Sequence, residues 1–382
     1  MDISTHPCVK PIQDTENLSA ASKSQYLRQL QKVVDVTKAS SIEHVILNPD
    51  GVLRTITMMQ YSPSLKKSMV SSVCALFKYN ESLRIKYPKE KEAWSTLLKN
   101  INRVEMDRVA SAEPTPRETL NWVDWKTISA KERELAATEY ASDRHMLLAL
   151  YVLQEPVRSD YGNVHVCVDE TPGRELDQKG ENYILLSSTP GGSYLVLNKY
   201  KTKSRYGRFY RTVNDELVRI IACNLGRLPR EYLVIDTAGE PYTNSGSFNK
   251  YVNRTLHEIF GKRVTINLLR HSFISGLDFN TSTPKQLMDI SRHMMHSIGM
   301  QQLYRRHVDP VKVTLAEGGS IDPPRTGPEG VQAESAESAE LTESMSRREH
   351  KKKHKKKKHK KKRESPAATS AEVPAGGRIV LI

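Results

Sequence analysis

Along the first 110 residues, apolar side chains return every three or four positions, the spacing that lines one face of a helix. Tyr26, Leu27, Leu30, Val33 and Val34 follow Ser19, whose hydroxyl suits a helix N-cap. Leu65, Met69, Val70, Val73, Leu76 and Phe77 follow Ser62-Pro63, a cap with proline at the first helical position. Trp94, Leu97, Leu98, Ile101 and Val104 mark a third helix, and the stretch around Asp50-Gly51 reads as a turn. No alternating pattern interrupts them. Residues 18–110 are therefore expected to form a small helical domain behind a loose leader, 1–17. Residues 111–120, with Pro114 and Pro116, read as a linker.

A second domain is expected over 121–315. It opens on a long helix running through Leu135 to Leu150 and ending before Pro156. The period then shortens. Segments 163–168, 183–186, 194–200 and 208–213 read as strands, with turns at Pro190-Gly191-Gly192 and Tyr206-Gly207. Helical spacing resumes at 214–225, 246–260, 267–278 and 283–295. The order, helix then small antiparallel sheet then helices, predicts an α+β fold. Beyond 316 the chain is Pro/Gly-rich, then acidic, then lysine-rich. Such a composition cannot bury apolar surface, so 316–382 is expected to be a disordered tail.

Charge sharpens the picture. The net charge is +14, of which Arg347–Arg363 contribute +12, residues 316–346 contribute −6 and 364–382 contribute −1. The body, 1–315, carries the remaining +9, which points to a polyanionic partner, nucleic acid first. The longest apolar run is the eight residues Met146–Leu153, against about 20 for a membrane-spanning helix. The N-terminus lacks the pattern of a secretory signal. Cys8, Cys74, Cys167 and Cys223 stand far apart without a CxxC pair. Neither a disulfide framework nor a structural zinc site is expected, and a reduced intracellular compartment is.

Three stretches of the second domain carry candidate chemistry: Arg158 with Asp160 after the long helix, Arg270 with His271 in "INLLRHSF", and His293, His296 and Tyr304 in "SRHMMHSIGMQQLY". Taken in order, on a basic two-domain chain, they resemble the tyrosine recombinase/integrase family. The resemblance covers about 18–315. It implies an N-terminal helical core-binding domain that clamps DNA and a mixed α/β catalytic domain. It matches Arg158 to the family's first Arg, Arg270 to its second, "MHS" at 295–297 to its Gly-His-Ser and Tyr304 to its nucleophile. In the family a hairpin Lys protonates the leaving oxygen. Lys199, Lys201 and Lys203 are available, with Lys201 the choice and Lys203 the runner-up.

The chemistry suits those residue types. Two guanidinium groups, always protonated, can hold the non-bridging oxygens of a phosphorane. A tyrosine ester keeps the bond energy, so no ATP is needed, and the chain has no GxxxxGK[ST] loop. No metal or cofactor is expected. There are departures from the family pattern. Asn267 stands where it has the His of His-x-x-Arg, so that position can donate a hydrogen bond but not shuttle a proton. His296 precedes Tyr304 by eight residues where nine is common, and His293, at eleven, is the alternative. Asp160 is expected to hold Arg158, and His271 to support the site.

The expected activity is cleavage and rejoining of double-stranded DNA through a 3′-phosphotyrosyl link, with dimers or tetramers assembling on DNA. The alternatives are a type IB topoisomerase and a DNA-binding structural protein with a degenerate site, which Asn267 keeps open. The lysine block reads as a nuclear address in a eukaryotic host or as a DNA tether. The divergent motifs suggest a viral or mobile-element source.

Overall fold

The computed structural model describes residues 2–168 and 170–308. The expected tail, 316–382, and the last residues of the second domain lie outside them.

In the N-terminal region the helices begin where side-chain caps allow. Ser19 Oγ accepts from the Ser22 amide to start Ala20–Thr37, and Ser62 Oγ accepts from the Leu65 amide to start Pro63–Tyr79. The residues read as a turn at 48–51 instead start a helix, Pro49–Met58. Asn48 caps it by accepting from the Gly51 amide, and Pro49 supplies a preset first position. A side chain at position 51 would meet the Asn48 cap at 2.5 Å. Pro88–Ala110 closes the group, with Trp94 fully buried and its indole donating to the Ile46 carbonyl at 3.0 Å.

The leader is not loose. Its short turns and the Lys10–Asp14 helix bury Ile3, Val9 and Ile12 in the same core as Leu30, Val33 and Trp94. Burial of these three aliphatic side chains contributes several kcal/mol of transfer energy towards ordering the segment. The Ile3 amide donates to Gln31, and Lys23 Nζ donates to the Gln13 carbonyl.

The expected linker contains a helix, Pro116–Asn121, closed by a capping box between Thr115 and Glu118. The expected long helix is two helices, Trp125–Thr138 and Asp143–Val152. Ala141 between them adopts a left-handed φ of 55°, and Ser142 caps the second. Asn224 fixes the break by donating to the Ala141 carbonyl and to Asp143.

The four strands, β1 (Val164–Cys167), β2 (Asn182–Leu185), β3 (Tyr194–Leu197) and β4 (Phe209–Thr212), lie in the order 1-2-3-4. The sheet is mixed rather than antiparallel: β1 pairs parallel with β2, and the other pairs are antiparallel. A parallel pair needs a crossover, and the helix Glu170–Gln178 supplies it. Leu176 is the only large aliphatic residue in that helix, so no apolar stripe announces it. β2 is buried along its whole length. Asn182 at its start accepts from the Asn198 and Lys199 amides at 2.8 and 2.7 Å, which anchors the hairpin after β3. That hairpin includes a turn of helix, Lys203–Tyr206, ended by Gly207 at φ 72°, ψ −148°. A side chain there would be strained.

The helices Asp215–Arg227, Ser245–Phe260, Ile266–Ser275, Pro284–His293 and Ile298–Tyr304 complete the fold. Leu147, Leu150, Leu217, Ile221, Phe248 and Leu269 share one buried core with β2 and β3.

Candidate active site

Arg158 sits on the extended segment after the Asp143–Val152 helix. Two groups fix that segment: Tyr151 Oη donates to the Arg158 carbonyl at 3.2 Å, and Arg270 Nη1 donates to the Pro156 carbonyl at 2.6 Å. Arg270, in the Ile266–Ser275 helix, is fully buried, and its Nη2 donates to the Met294 carbonyl at 3.2 Å. Arg158 Nη1 donates to the next carbonyl, that of Met295, at 3.3 Å. Thr202, from the β3–β4 hairpin, donates to the same oxygen at 3.3 Å.

Met295 therefore gathers the site. It has a φ of 53°, a left-handed conformation that costs a non-glycine residue about 1 kcal/mol or more. The bend turns the chain between Pro284–His293 and Ile298–Tyr304 and brings His296 inward. His296 is 2% exposed, and neither ring nitrogen has a hydrogen-bond partner among the described residues. Burial, then the charges of Arg270 and Arg158, push its pKa well below the ordinary value, so the ring is neutral.

Tyr304 ends the last described helix and is 4% exposed. Its ring centroid lies 5.1 Å from the Arg270 guanidinium and 5.3 Å from the His296 ring. Burial alone would raise the phenol pKa. Arg270, Arg158 and Lys201 outweigh burial and lower it to about 8. Lys201 is lowered to about 8 in turn, by desolvation first and then by Arg158, with Tyr304 and Asp160 opposing. Asp160 is raised by burial against the charges of Arg158 and Arg270, and its Oδ2 has no hydrogen-bond partner among the described residues.

The remaining candidates divide. His271 Nδ1–H donates to the Tyr304 carbonyl at 2.7 Å, and the two rings lie 4.7 Å apart. Burial and then Arg306 lower His271 to about 4. Asn267 lies one turn before Arg270 on the same helix, half-buried. His293 is not brought to Tyr304. It faces Glu155 at 3.2 Å, beside the buried Arg211. Lys203 is exposed on the hairpin, and Lys199 is paired with Glu181.

Sequence reasoning missed Thr202, Glu118, Arg306 and the Met295 carbonyl. The capping box Thr115–Glu118 is legible in the sequence; the contacts Glu118 makes with residues more than 150 positions away are not. Among the described residues, His6, Cys8 and Glu43 are the one group with metal-ligand types and spacing. The Cys8 amide donates to His6 Nδ1, leaving Nε2–H to face Glu43, and burial and then Glu43 raise the Cys8 thiol to about 11. The Cys8 thiol donates to the Glu43 carboxylate at 3.7 Å. No described helix is long and apolar enough to cross a membrane.

No protein-family model matches the chain, and no curated protein sequence matches it. Several solved structures are similar to it. The crystal structure of XerA recombinase aligns over 84% of this chain and 98% of its own length, at 14% identity and a TM-score of 0.34. The Tn1549 transposon integrase, solved in complex with transposon right end DNA, aligns over 81% of this chain and 96% of its own, at 16% identity and a TM-score of 0.48.

The cluster itself has a definite chemistry. An acidified phenol, two fixed guanidinium groups, a poised amine and a neutral imidazole come from four separate parts of the chain.

Proposed function

We propose that this protein is a tyrosine recombinase/integrase that cleaves and rejoins double-stranded DNA. In this reading the Tyr304 oxygen attacks a backbone phosphorus. A 3′-phosphotyrosyl ester forms, the bond from phosphorus to the 5′ oxygen breaks, and Lys201 gives that oxygen a proton. Arg158 and Arg270 hold the non-bridging oxygens, where one preorganised donor is worth about 3 kcal/mol in the transition state. His296, neutral and with neither nitrogen hydrogen-bonded among the described residues, donates to the same oxygens. Asn267 takes the fourth position as an amide donor. Rejoining is the reverse attack by a 5′ hydroxyl.

The observation that carries the reading is the convergence on Tyr304: the Arg270 guanidinium lies 5.1 Å and the His296 ring 5.3 Å from its ring, with Arg158 and Arg270 on the adjacent carbonyls of Met295 and Met294, and these charges with Lys201 lower the hydroxyl to about 8 despite its burial. A phenol at its ordinary value near 10 would be a poor nucleophile at neutral pH. The basic body supports duplex DNA as the partner, with protomers assembling on it. The lysine block then serves as nuclear address or DNA tether in a eukaryotic host.

The test is capture on a suicide duplex whose cleaved fragment diffuses away, leaving the protein covalently bound. Relaxation of supercoiled DNA without paired sites would favour a topoisomerase instead, and binding without capture a structural role.

A further inference from the structure

The segment that follows Tyr304 is held by the stretch expected to be a passive linker. Arg306 spreads its guanidinium in two directions. Nη1 donates to the carbonyls of Leu303 and Arg305 at 2.8 and 2.9 Å, capping the end of the Ile298–Tyr304 helix. Nη2 and Nε reach Glu118 Oε1 and Oε2 at 3.3 and 3.4 Å. The Arg306 side chain is only 5% exposed. The Arg306 amide donates to Ser275 Oγ, and the His307 amide donates to the Ala112 carbonyl at 2.8 Å.

Glu118 also lies 3.7 Å from His271 Nε2, the ring whose other nitrogen donates to the Tyr304 carbonyl. Burial opposes its charge, but His271 when protonated, and Arg306 together with the Thr115 amide at any pH, hold the carboxyl below its ordinary value. It is ionised at neutral pH. Its own backbone is fixed, because Glu118 Oε2 accepts from the Thr115 amide at 2.7 Å and Thr115 Oγ1 accepts from the Glu118 amide. One carboxylate thus joins the start of a capped helix to both supports of the Tyr304 backbone.

We infer that Glu118 is a positioning residue for the nucleophile: through Arg306 and His271 it fixes the main chain on which Tyr304 sits. This rests on the proposed function. It also makes the 111–120 stretch a mechanical link, so that a displacement of the linker is transmitted to Tyr304. Packing alone would not require a charge here. A bidentate, charge-assisted pair at the end of a helix of only seven residues suppresses the fraying that would misplace its last side chain.

Glu118→Gln is the informative variant. Glutamine at this position can keep the capping box through its one carbonyl oxygen, while it removes the charge and one of the two acceptors facing Arg306. In hydrogen–deuterium exchange of the free full-length protein, amides of 302–308 should exchange about tenfold faster or more, the effect expected for a lost charge-assisted contact. Arg306→Gln, which also loses the Nη1 bonds to the Leu303 and Arg305 carbonyls, should give at least that increase, and the double variant no more than Arg306→Gln alone. Single-turnover cleavage should fall by a similar factor with DNA affinity unchanged. Thr115→Ala, which breaks the hydroxyl side of the cap and keeps the charge, should speed exchange over 302–308 less than Glu118→Gln does.

Unchanged exchange in both single variants, additive effects, an equal effect of Thr115→Ala, or faster exchange without loss of cleavage would each overturn the inference. If Glu118→Gln loses protection throughout the chain, Arg306→Gln decides by the same readouts. A wild-type protein that forms no adduct would sink the proposed function, while exchange still decides the link between Glu118 and Arg306.

Discussion

The Arg270 guanidinium stands 5.1 Å from the ring centroid of Tyr304 while its two terminal nitrogens hold the carbonyls of Pro156 and Met294. One buried side chain thus ties together the segment bearing Arg158, the bend before His296 and the phenol. A planar fork does this; an ammonium on a flexible stem does not.

Arg270→Lys keeps the charge and loses the fork. Cleavage should fall about 10²- to 10³-fold, the loss typical of one preorganised donor at a developing oxyanion. Single-turnover cleavage, read beside thermal unfolding, checks this. A loss under tenfold in a folded variant would remove Arg270 from the mechanism.

Tyr304 and Lys201 both titrate near 8, and the proposed roles need opposite forms. Attack needs the phenolate and rises with pH through about 8. Proton donation needs the ammonium and falls above about 8. The cleavage rate should therefore be bell-shaped with its maximum near pH 8. Lys201→Ala should lose the alkaline limb. Its acid limb should move to higher pH, because Tyr304 loses a neighbouring cation. A substrate with a 5′-thiol leaving group, which needs no proton, should restore much of the rate.

His271 is lowered from 6.5 to about 4, by burial and then by Arg306. The unfolded chain therefore binds a proton between these values that the folded chain refuses. Stability from this group is complete above about pH 6.5 and is lost as pH falls towards 4, by about 3 kcal/mol. His296 acts in the same direction. Denaturant unfolding between pH 4 and 7 should show this slope, and His271→Gln should flatten it. An equal slope in the variant would place the acid sensitivity elsewhere.

Met295→Gly sets two effects against each other. Glycine relieves the left-handed φ, worth about 1 kcal/mol. It also removes a side chain that is 1% exposed, which costs about 2–5 kcal/mol for a buried methionine cut to alanine. Burial wins, so the variant should be less stable by about 1–4 kcal/mol in denaturant unfolding. The carbonyl that receives Arg158 and Thr202 remains, so each folded molecule should still cleave. A gain in stability would mean that backbone strain dominates at this bend.

Local signals were legible in the sequence. The caps Ser19 and Ser62 start their helices, and the strand segments fall within three residues of β1 to β4, the largest overrun being at the end of β3. Arg158, Lys201, Arg270, His296 and Tyr304, singled out as residue types, are brought together. What was illegible depends on distant partners. The left-handed Ala141 is fixed by Asn224, the parallel β1–β2 pair by a polar crossover helix, and the leader by aliphatic contacts with Leu30 and Val33. His293 and His296 cannot be told apart by spacing alone; the bend at Met295 sends one towards Glu155 and the other towards Tyr304.

The most direct measurement is peptide mapping by mass spectrometry of the protein–DNA adduct on a suicide duplex, for wild type and Tyr304→Phe. The account predicts a nucleotide mass on the peptide containing Tyr304 in wild type, and no adduct with nearly unchanged DNA binding in the Phe variant. An adduct on another residue, or an undiminished yield from Tyr304→Phe, would contradict it.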